Sequence, residues 1–472
     1  MLELFSHPFT ILFVGLSVVI GGIVFARLNA FIALIGAALI VSLMAPGDWG
    51  EKISRVSDGF GRTATGVGIV IALASIIGMA MVESGAADRI VRTMLAWFGE
   101  KRASTALMTS GFILAMPVFF DTVFFLMVPL ARGLYQKLGK NYLKFLLAIG
   151  CCATAHALIP PTPGPLLAAS ELGVGMGRMM LVGCLVGFPA AVAGMVFASF
   201  ADKLMPNLKP PTIEGEEVLP DVKPVPDEEL PSLGLSLLPI VLPIVMISAV
   251  SFFHNPPRGE PDPSIWGAIG TPALSLFLST VIAMATYWFY RRPTIEKFSN
   301  NVELALMSGG VIVLITCAGG AFGKMLQQAQ LAEAIKGQFG QSSAEGMGLL
   351  VLSFGVAALI KFAQGSSTTA LIVTAGMVAA IIYPEGENGQ TVIDAAAQAK
   401  VLGYHPVYLA AAIGGGSLVG SWMNDSGFWI FAKMGGLTET QGLKTWTPLL
   451  AILGIVSMVM TLILANVLPM VG

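Results

Sequence analysis

Apolar runs long enough to cross a hydrocarbon core of about 30 Å recur along the chain from Pro8 onward, parted by short polar or charged stretches. Such a chain must satisfy its backbone polar groups inside its own segments, and the length of the runs makes those segments helices. The expected class is an all-α polytopic membrane protein. Of the 472 residues, 55% are apolar and 11% charged, a balance suited to lipid and not to water. The first run, 8–25, has no basic segment ahead of it and a second run follows closely, so it reads as a membrane helix and not as a leader peptide. A net charge of −2 without a basic stripe argues against a nucleic-acid partner. Cys151, Cys152, Cys184 and Cys317 lie in apolar stretches without metal-type spacing and read as small buried hydrophobes. No metal and no cofactor is expected.

Loop charge turns the runs into a map. Arg132, Lys137, Lys140 and Lys144 occur without an acid among them, and Arg291, Arg292 and Lys297 with only Glu296. These loops are expected in the cytoplasm. The stretches holding Arg258, Glu260 and Asp262, and Glu385, Glu387, Asp394 and Lys400, carry more acid and are expected in the periplasm. Each crossing changes side, so the count between assigned loops must agree. It does so only if 103–131 and 345–383 turn back as re-entrant hairpins, each with polar residues near its middle. Residues 1–200 then give three crossings, a cytoplasmic hairpin and two crossings, and 231–472 give the same series upside down. Between them, 201–230 is a cytoplasmic linker with six prolines and an acidic bias at Glu214, Glu216, Glu217, Asp227, Glu228 and Glu229. The organisation is an inverted repeat of two six-element halves, each with a re-entrant hairpin and a broken helix, and both termini fall outside. Such an architecture suits a secondary transporter with its site near the midplane between repeats. A homodimer is allowed by it and required by no residue.

Four polar interruptions match pairwise. The first hairpin carries Asp121 and Thr122, and the next crossing is broken at His156 and by Pro160, Pro161, Thr162, Pro163, Gly164 and Pro165. The second hairpin carries Gln364, Gly365, Ser366, Ser367, Thr368 and Thr369, and the following crossing is interrupted at 414–417 and at Asn424, Asp425, Ser426 and Gly427. Unwound backbone frees N–H groups, and half-helix N-termini point positive dipole ends inward, an arrangement that attracts anions. Ser366, Ser367, Thr368 and Thr162 supply hydroxyls for a polyhydroxylated or carboxylate ligand, and Asn424 can both donate and accept. The same hydroxyls are also common as packing contacts between membrane helices. Asp121 and Asp425, ionisable groups in an apolar setting, mark a pathway or cap half-helices. His156 is either a proton carrier or a hydrogen-bonded core residue. Lys361 either attracts an anion or forms an ion pair within the hairpin. Asp121, His156 and Asp425 are thus the candidates for proton coupling. Gly-rich stretches without a lysine in register exclude a P-loop, and no nucleophile elbow or zinc-binding helix motif supports an enzyme.

At these same positions the chain resembles the gluconate permease family, the sugar-acid proton symporters of the larger ion-transporter superfamily. The segments that carry the resemblance are 117–130 (PVFFDTVFFLMVPL), 156–165 (HALIPPTPGP), 361–376 (KFAQGSSTTALIVTAG) and 414–433 (GGGSLVGSWMNDSGFWIFAK), with Lys444, Thr445 and Trp446 following. The resemblance implies proton-coupled uptake of gluconate or a related sugar acid across a bacterial inner membrane, with an elevator-like movement of the hairpin-bearing part. The sequence departs from the family pattern at Thr162, where a second histidine is common, and at Asp121, where a glutamate is frequent. Sodium-coupled carboxylate or sulfonate transport on the same fold is the alternative. A passive channel or an intramembrane hydrolase is less consistent with matched breaks.

Overall fold

The computed structural model describes residues 7–206, 208–210, 226–253, 264–329, 346–383, 394–423 and 425–471. Among them there are helices and no strands. Glu214, Glu216, Glu217, Arg258, Glu260, Asp262, Glu385, Glu387 and Asn424 lie outside the described residues.

Helices α1 (Pro8–Val24), α2 (Ala30–Met44), α3 (Glu51–Ser84) and α4 (Ala86–Phe98) precede a hairpin of α5 (Ala103–Leu114) and α6 (Phe120–Leu138). One interrupted span follows, made of α7 (Tyr142–Gly150), α8 (Ala153–Leu158) and α9 (Pro163–Glu171), and then α10 (Met176–Leu204). After the linker come α11 (Leu233–Phe253), α12 (Ile265–Ile269), α13 (Pro272–Arg291) and α14 (Ile295–Gln328). A second hairpin, α15 (Met347–Gln364) and α16 (Ser367–Ile382), leads through α17 (Ala395–Leu402) to a second interrupted span, α18 (Val407–Gly416) and α19 (Ser426–Gly435). The last helix is α20 (Glu439–Val467).

Local chemistry sets these boundaries. Asn29 caps α2 by accepting from the Phe31 N–H at 2.9 Å, and Thr438 with Gln441 forms a reciprocal capping box at the start of α20. Gly85 takes the left-handed conformation (φ 82°) that ends α3. Proline opens α1, α9 and α13, where its missing N–H costs nothing. Ahead of the first hairpin, α4 is amphipathic. In α4, Ile90, Val91 and Met94 bury one face while charged residues take the other, and Arg89 and Arg92 reach the segment that opens the second half, with Arg92 Nη1 2.7 Å from Asp227 Oδ1.

Seven helical stretches among the described residues are long and apolar enough to cross a membrane. Along α10, Leu181, Leu185, Phe188, Val192, Val196 and Phe200 recur at helical spacing and remain exposed, an outward apolar stripe that lipid covers. The chain is a multi-pass membrane protein.

At the centre α3 packs on α14. Thr63 lies against Gly320, Gly68 against Val313 and Ser75 against Gly309, so one helix rises in number as the other falls and the pair is antiparallel. Small residues at these contacts let two backbones approach closely, which is how helices gain packing energy when lipid is as apolar as leucine. Both helices are 34 residues long. Helices α10 and α20, both 29 residues, also pack together. The second half of each interrupted span packs on the inner arm of the other hairpin, α9 on α16 and α19 on α6.

Candidate functional site

Each hairpin and each interrupted span restarts as a helix, and each restart has its own cause. Ahead of α6, Pro117 and an extended Phe119 (φ −61°, ψ 144°) separate the two arms. Ahead of α9, Pro160 to Pro163 prevent a continuous ladder of backbone bonds. Gly365 adopts φ 86° to end α15, and Ser366 then caps α16, accepting from the Thr369 N–H at 3.2 Å and from its hydroxyl at 3.0 Å. Gly420 (φ 88°) lies in the break after α18, and Asp425 caps α19 by accepting from the Gly427 N–H at 3.0 Å.

All four restarts face one cavity of about 380 Å³. Its wall takes Phe119, Phe120, Asp121 and Thr122 from α6, Pro163 from α9, Ser366, Ser367 and Thr368 from α16, and Asp425, Ser426 and Gly427 from α19. Ala153, His156 and Ala157 of α8, Ser308 and Ile312 of α14, Leu418 from the break after α18, and Trp446 and Leu450 of α20 complete it. Four helix starts therefore converge on one space, each with a partial positive charge; α6, α16 and α19 present first-turn N–H groups that lack intrahelical acceptors, and α9, with proline at 163 and 165, presents only that of Gly164. A second cavity of about 280 Å³ shares Phe119, Thr122 and Ser308 with the first and continues between α3 and α14 to Glu83 and Asn301.

The two aspartates differ in company. Asp425 Oδ2 accepts from Lys361 Nζ at 2.7 Å and from the Ser421 hydroxyl, and the Ser421 oxygen accepts from Trp446 Nε1 at 2.7 Å. Lys361, 1% exposed, also donates to the Gly365 carbonyl and so joins the hairpin to the break. Asp121 has no ion pair or hydrogen bond among the described residues and is open to the cavity. His156 packs edge-on against Phe119 with ring centroids 6.4 Å apart, and its buried Nδ1 has no hydrogen-bond partner among the described residues.

Of the positions expected from the sequence, Asp121, Thr122, His156, Ser366, Ser367, Thr368, Asp425 and Ser426 come together on the wall. Thr162 and Gly164 do not. The Thr162 hydroxyl donates to the Ile159 carbonyl at 2.6 Å, and Gly164 lies against Leu371 of the other half. Gly365 and Gln364 stand just before the wall at the end of α15, and Asn424 is outside the described residues. Lys361 forms an ion pair, but with Asp425 of the second interrupted span and not within its own hairpin as expected. Sequence reasoning missed Ser308, Ile312 and Leu450, which lie in helices without a local signal, and gave no role to Trp446 and Ser421, which it named or spanned only in the family resemblance and whose contact joins positions 25 apart.

A membrane-embedded bundle in which two hairpins and two interrupted spans close one polar cavity is the architecture of a permease. The model of the GntP family permease matches residues 7–468, and the chain belongs to that family. Curated relatives include a gluconate permease of Pseudomonas aeruginosa, 30% identical over 470 residues, covering 98% of this chain and 99% of that one. The inner membrane permease YgbN of Escherichia coli is 30% identical, with 92% and 93% covered. The low-affinity gluconate transporter of the same organism is 29% identical, with 93% and 94% covered. Among solved structures, the YdaH transporter of Alcanivorax borkumensis, described as having an unusual topology, shares the fold at a TM-score of 0.62 and 12% identity, over 93% of this chain and 98% of that one.

Proposed function

We propose that this permease imports gluconate or a related sugar acid across a bacterial inner membrane by proton symport. The observation that carries the reading is a cavity that four helix N-termini make attractive to an anion and that also holds Asp121, a carboxylate without a cation beside it. An ionised Asp121 repels a bound carboxylate by roughly 3 kcal/mol, taking charges about 6 Å apart at an effective dielectric of about 20. Protonated, the same group becomes a hydrogen-bond donor. Proton and anion therefore each favour the binding of the other, by roughly 100-fold for such an energy, and the linkage is reciprocal. The hydroxyls of Thr122, Ser308, Ser366, Ser367, Thr368 and Ser426 suit a polyhydroxylated chain, and relatives named for gluconate support that choice.

Movement follows from an inverted repeat of 1–200 and 231–472. Supporting it are the equal lengths and antiparallel packing of α3 and α14, and the exchange of α9 and α19 between halves. The exchange is tied in the same way on both sides: Tyr383 donates to the Leu172 carbonyl at 2.9 Å, and Tyr142 to the Gly435 carbonyl at 3.1 Å. In this reading the hairpins and broken spans travel as an elevator along a scaffold that includes α3 and α14. The second cavity between them is the route by which cargo leaves toward the cytoplasm.

The test is uptake of labelled gluconate into proteoliposomes under an inward proton gradient, with aldarates, short hydroxy acids and sulfonates as competitors. Uptake is expected to follow the proton gradient, to be competed by aldonates first and to persist when choline replaces sodium. Loss of uptake in choline would move the assignment to sodium coupling, and no uptake of any acid would remove it.

A further inference from the structure

We infer that Lys361, Ser421 and Trp446 hold Asp425 ionised throughout the transport cycle and so leave Asp121 as the only carboxylate of the cavity that exchanges the coupled proton. The inference rests on the proton-symport reading and assigns its proton to one of two chemically identical groups.

The geometry separates them. Three donors converge on Asp425: Lys361 Nζ at 2.7 Å and the Ser421 hydroxyl on Oδ2, and the Gly427 N–H at 3.0 Å on Oδ1. Both acceptor sites of Oδ2 are filled, and a proton taken on the remaining site of Oδ1 would neutralise the carboxylate and strand the buried Lys361 ammonium without its counter-charge. The Ser421 hydroxyl is not free to turn away, because its oxygen already accepts from Trp446 Nε1 at 2.7 Å, and an indole N–H only donates. The tryptophan thus fixes which way the serine hydrogen points, toward Asp425. Lys361 is buried and donates its remaining reach to the Gly365 carbonyl, so the pair moves with the second hairpin as one neutral unit. Lys361, Ser421 and Trp446 are positioning residues here, acting through Asp425.

Asp121 meets none of these constraints. Among the described residues, the titratable groups around the cavity besides Asp121 are His156, Asp425 and Lys361, with Glu83 at the far end of the adjoining cavity, and the one lysine or arginine among them is taken by Asp425. When Asp121 takes a proton from outside, its repulsion of the anion is removed. When it gives that proton up inside, the anion is expelled beside it. One proton and one monovalent anion enter per cycle, and the site carries the same charge on the loaded and the empty journey. Transport of a monovalent acid is then indifferent to membrane voltage.

The experiment measures proton and acid fluxes together in proteoliposomes containing the full chain. Three proteins are compared: the wild type, Asp121→Asn, and the double variant Lys361→Met with Asp425→Asn, which removes both charges of the pair together. The wild type is expected to move one proton per gluconate, at a rate unchanged by an imposed potassium diffusion potential. The double variant is expected to transport more slowly while keeping that ratio. Asp121→Asn is expected to lose uphill accumulation and settle at equal concentrations on both sides. Proton coupling kept in Asp121→Asn, or lost in the double variant, overturns the assignment, as does wild-type uptake that speeds up when the lumen is made negative. The voltage measurement needs no variant and excludes a second exchanging carboxylate, and if the double variant does not fold, Asp121→Asn alone still tests which aspartate carries the proton. Wild-type uptake that ignores the proton gradient overturns the symport reading itself, a result separate from any shift between the two aspartates.

Discussion

Two aspartates stand at helix starts on the cavity, Asp121 in the first hairpin and Asp425 in the second interrupted span, and their partners give them different work. Asp425 is tied to Lys361, and removing either charge alone strands the other in a buried place. Asp425→Ala is expected to cost about 3–5 kcal/mol, seen as a lower melting temperature in detergent and less monodisperse protein. Trp446→Phe keeps ring contacts with Phe120 (centroids 5.4 Å apart) and Phe431 (5.0 Å) but removes the donor to Ser421. It is expected to cost about 1–2 kcal/mol and to raise the KM for gluconate more than it lowers kcat. The aspartates, His156 and the hydroxyl run were legible in the sequence because a polar group in an apolar span is expensive and stands out. Trp446 and Ser421 were not, since an indole in an apolar helix looks the same whether it meets lipid, core or a serine. Thr162 was expected on the wall because it lies among prolines at a break. Its hydroxyl instead closes the local turn onto Ile159, a competition that residue type alone does not settle.

At the scale of elements, the breaks were legible and the contacts between elements were not. Prolines at 160, 161, 163 and 165 forbid a continuous helix, and the first span is interrupted there, whereas the glycines expected to break the second span, 414–416, complete α18, and the break follows them, ahead of α19. The meeting of α14 with α16 depends on two glycines 53 positions apart in number, 323 and 376, which no local pattern pairs. A Cβ on Gly376 would stand 2.7 Å from the Gly323 Cα. Gly376→Ala is therefore expected to overpack the contact by about 1–3 kcal/mol. Because α16 carries Ser367 and Thr368, a drop in maximal uptake rate should accompany the lower melting temperature. Gly310→Ala, whose Cβ meets no atom within 4 Å, is the control and should leave both unchanged.

For the whole molecule, the membrane class and the two-hairpin plan followed from hydropathy and loop charge, while α4 did not, because an amphipathic helix among basic residues passes for a loop. The proposed inverted arrangement makes a prediction of its own. Lys140 and Lys400 are both exposed and belong to loops assigned to opposite sides. A membrane-impermeant maleimide applied to intact cells should label Lys400→Cys and spare Lys140→Cys, and inside-out vesicles should reverse the result. Labelling of both from one side would break the repeat. In the proposed coupling one cavity binds a proton and a sugar acid with mutual dependence through Asp121. Calorimetric titration of the purified protein with gluconate, above neutral pH and in two buffers of different ionisation enthalpy, reads the protons taken up with each bound anion. The account predicts one proton per gluconate in the wild type and none in Asp121→Asn, and gluconate binding to the wild type without proton uptake would contradict it.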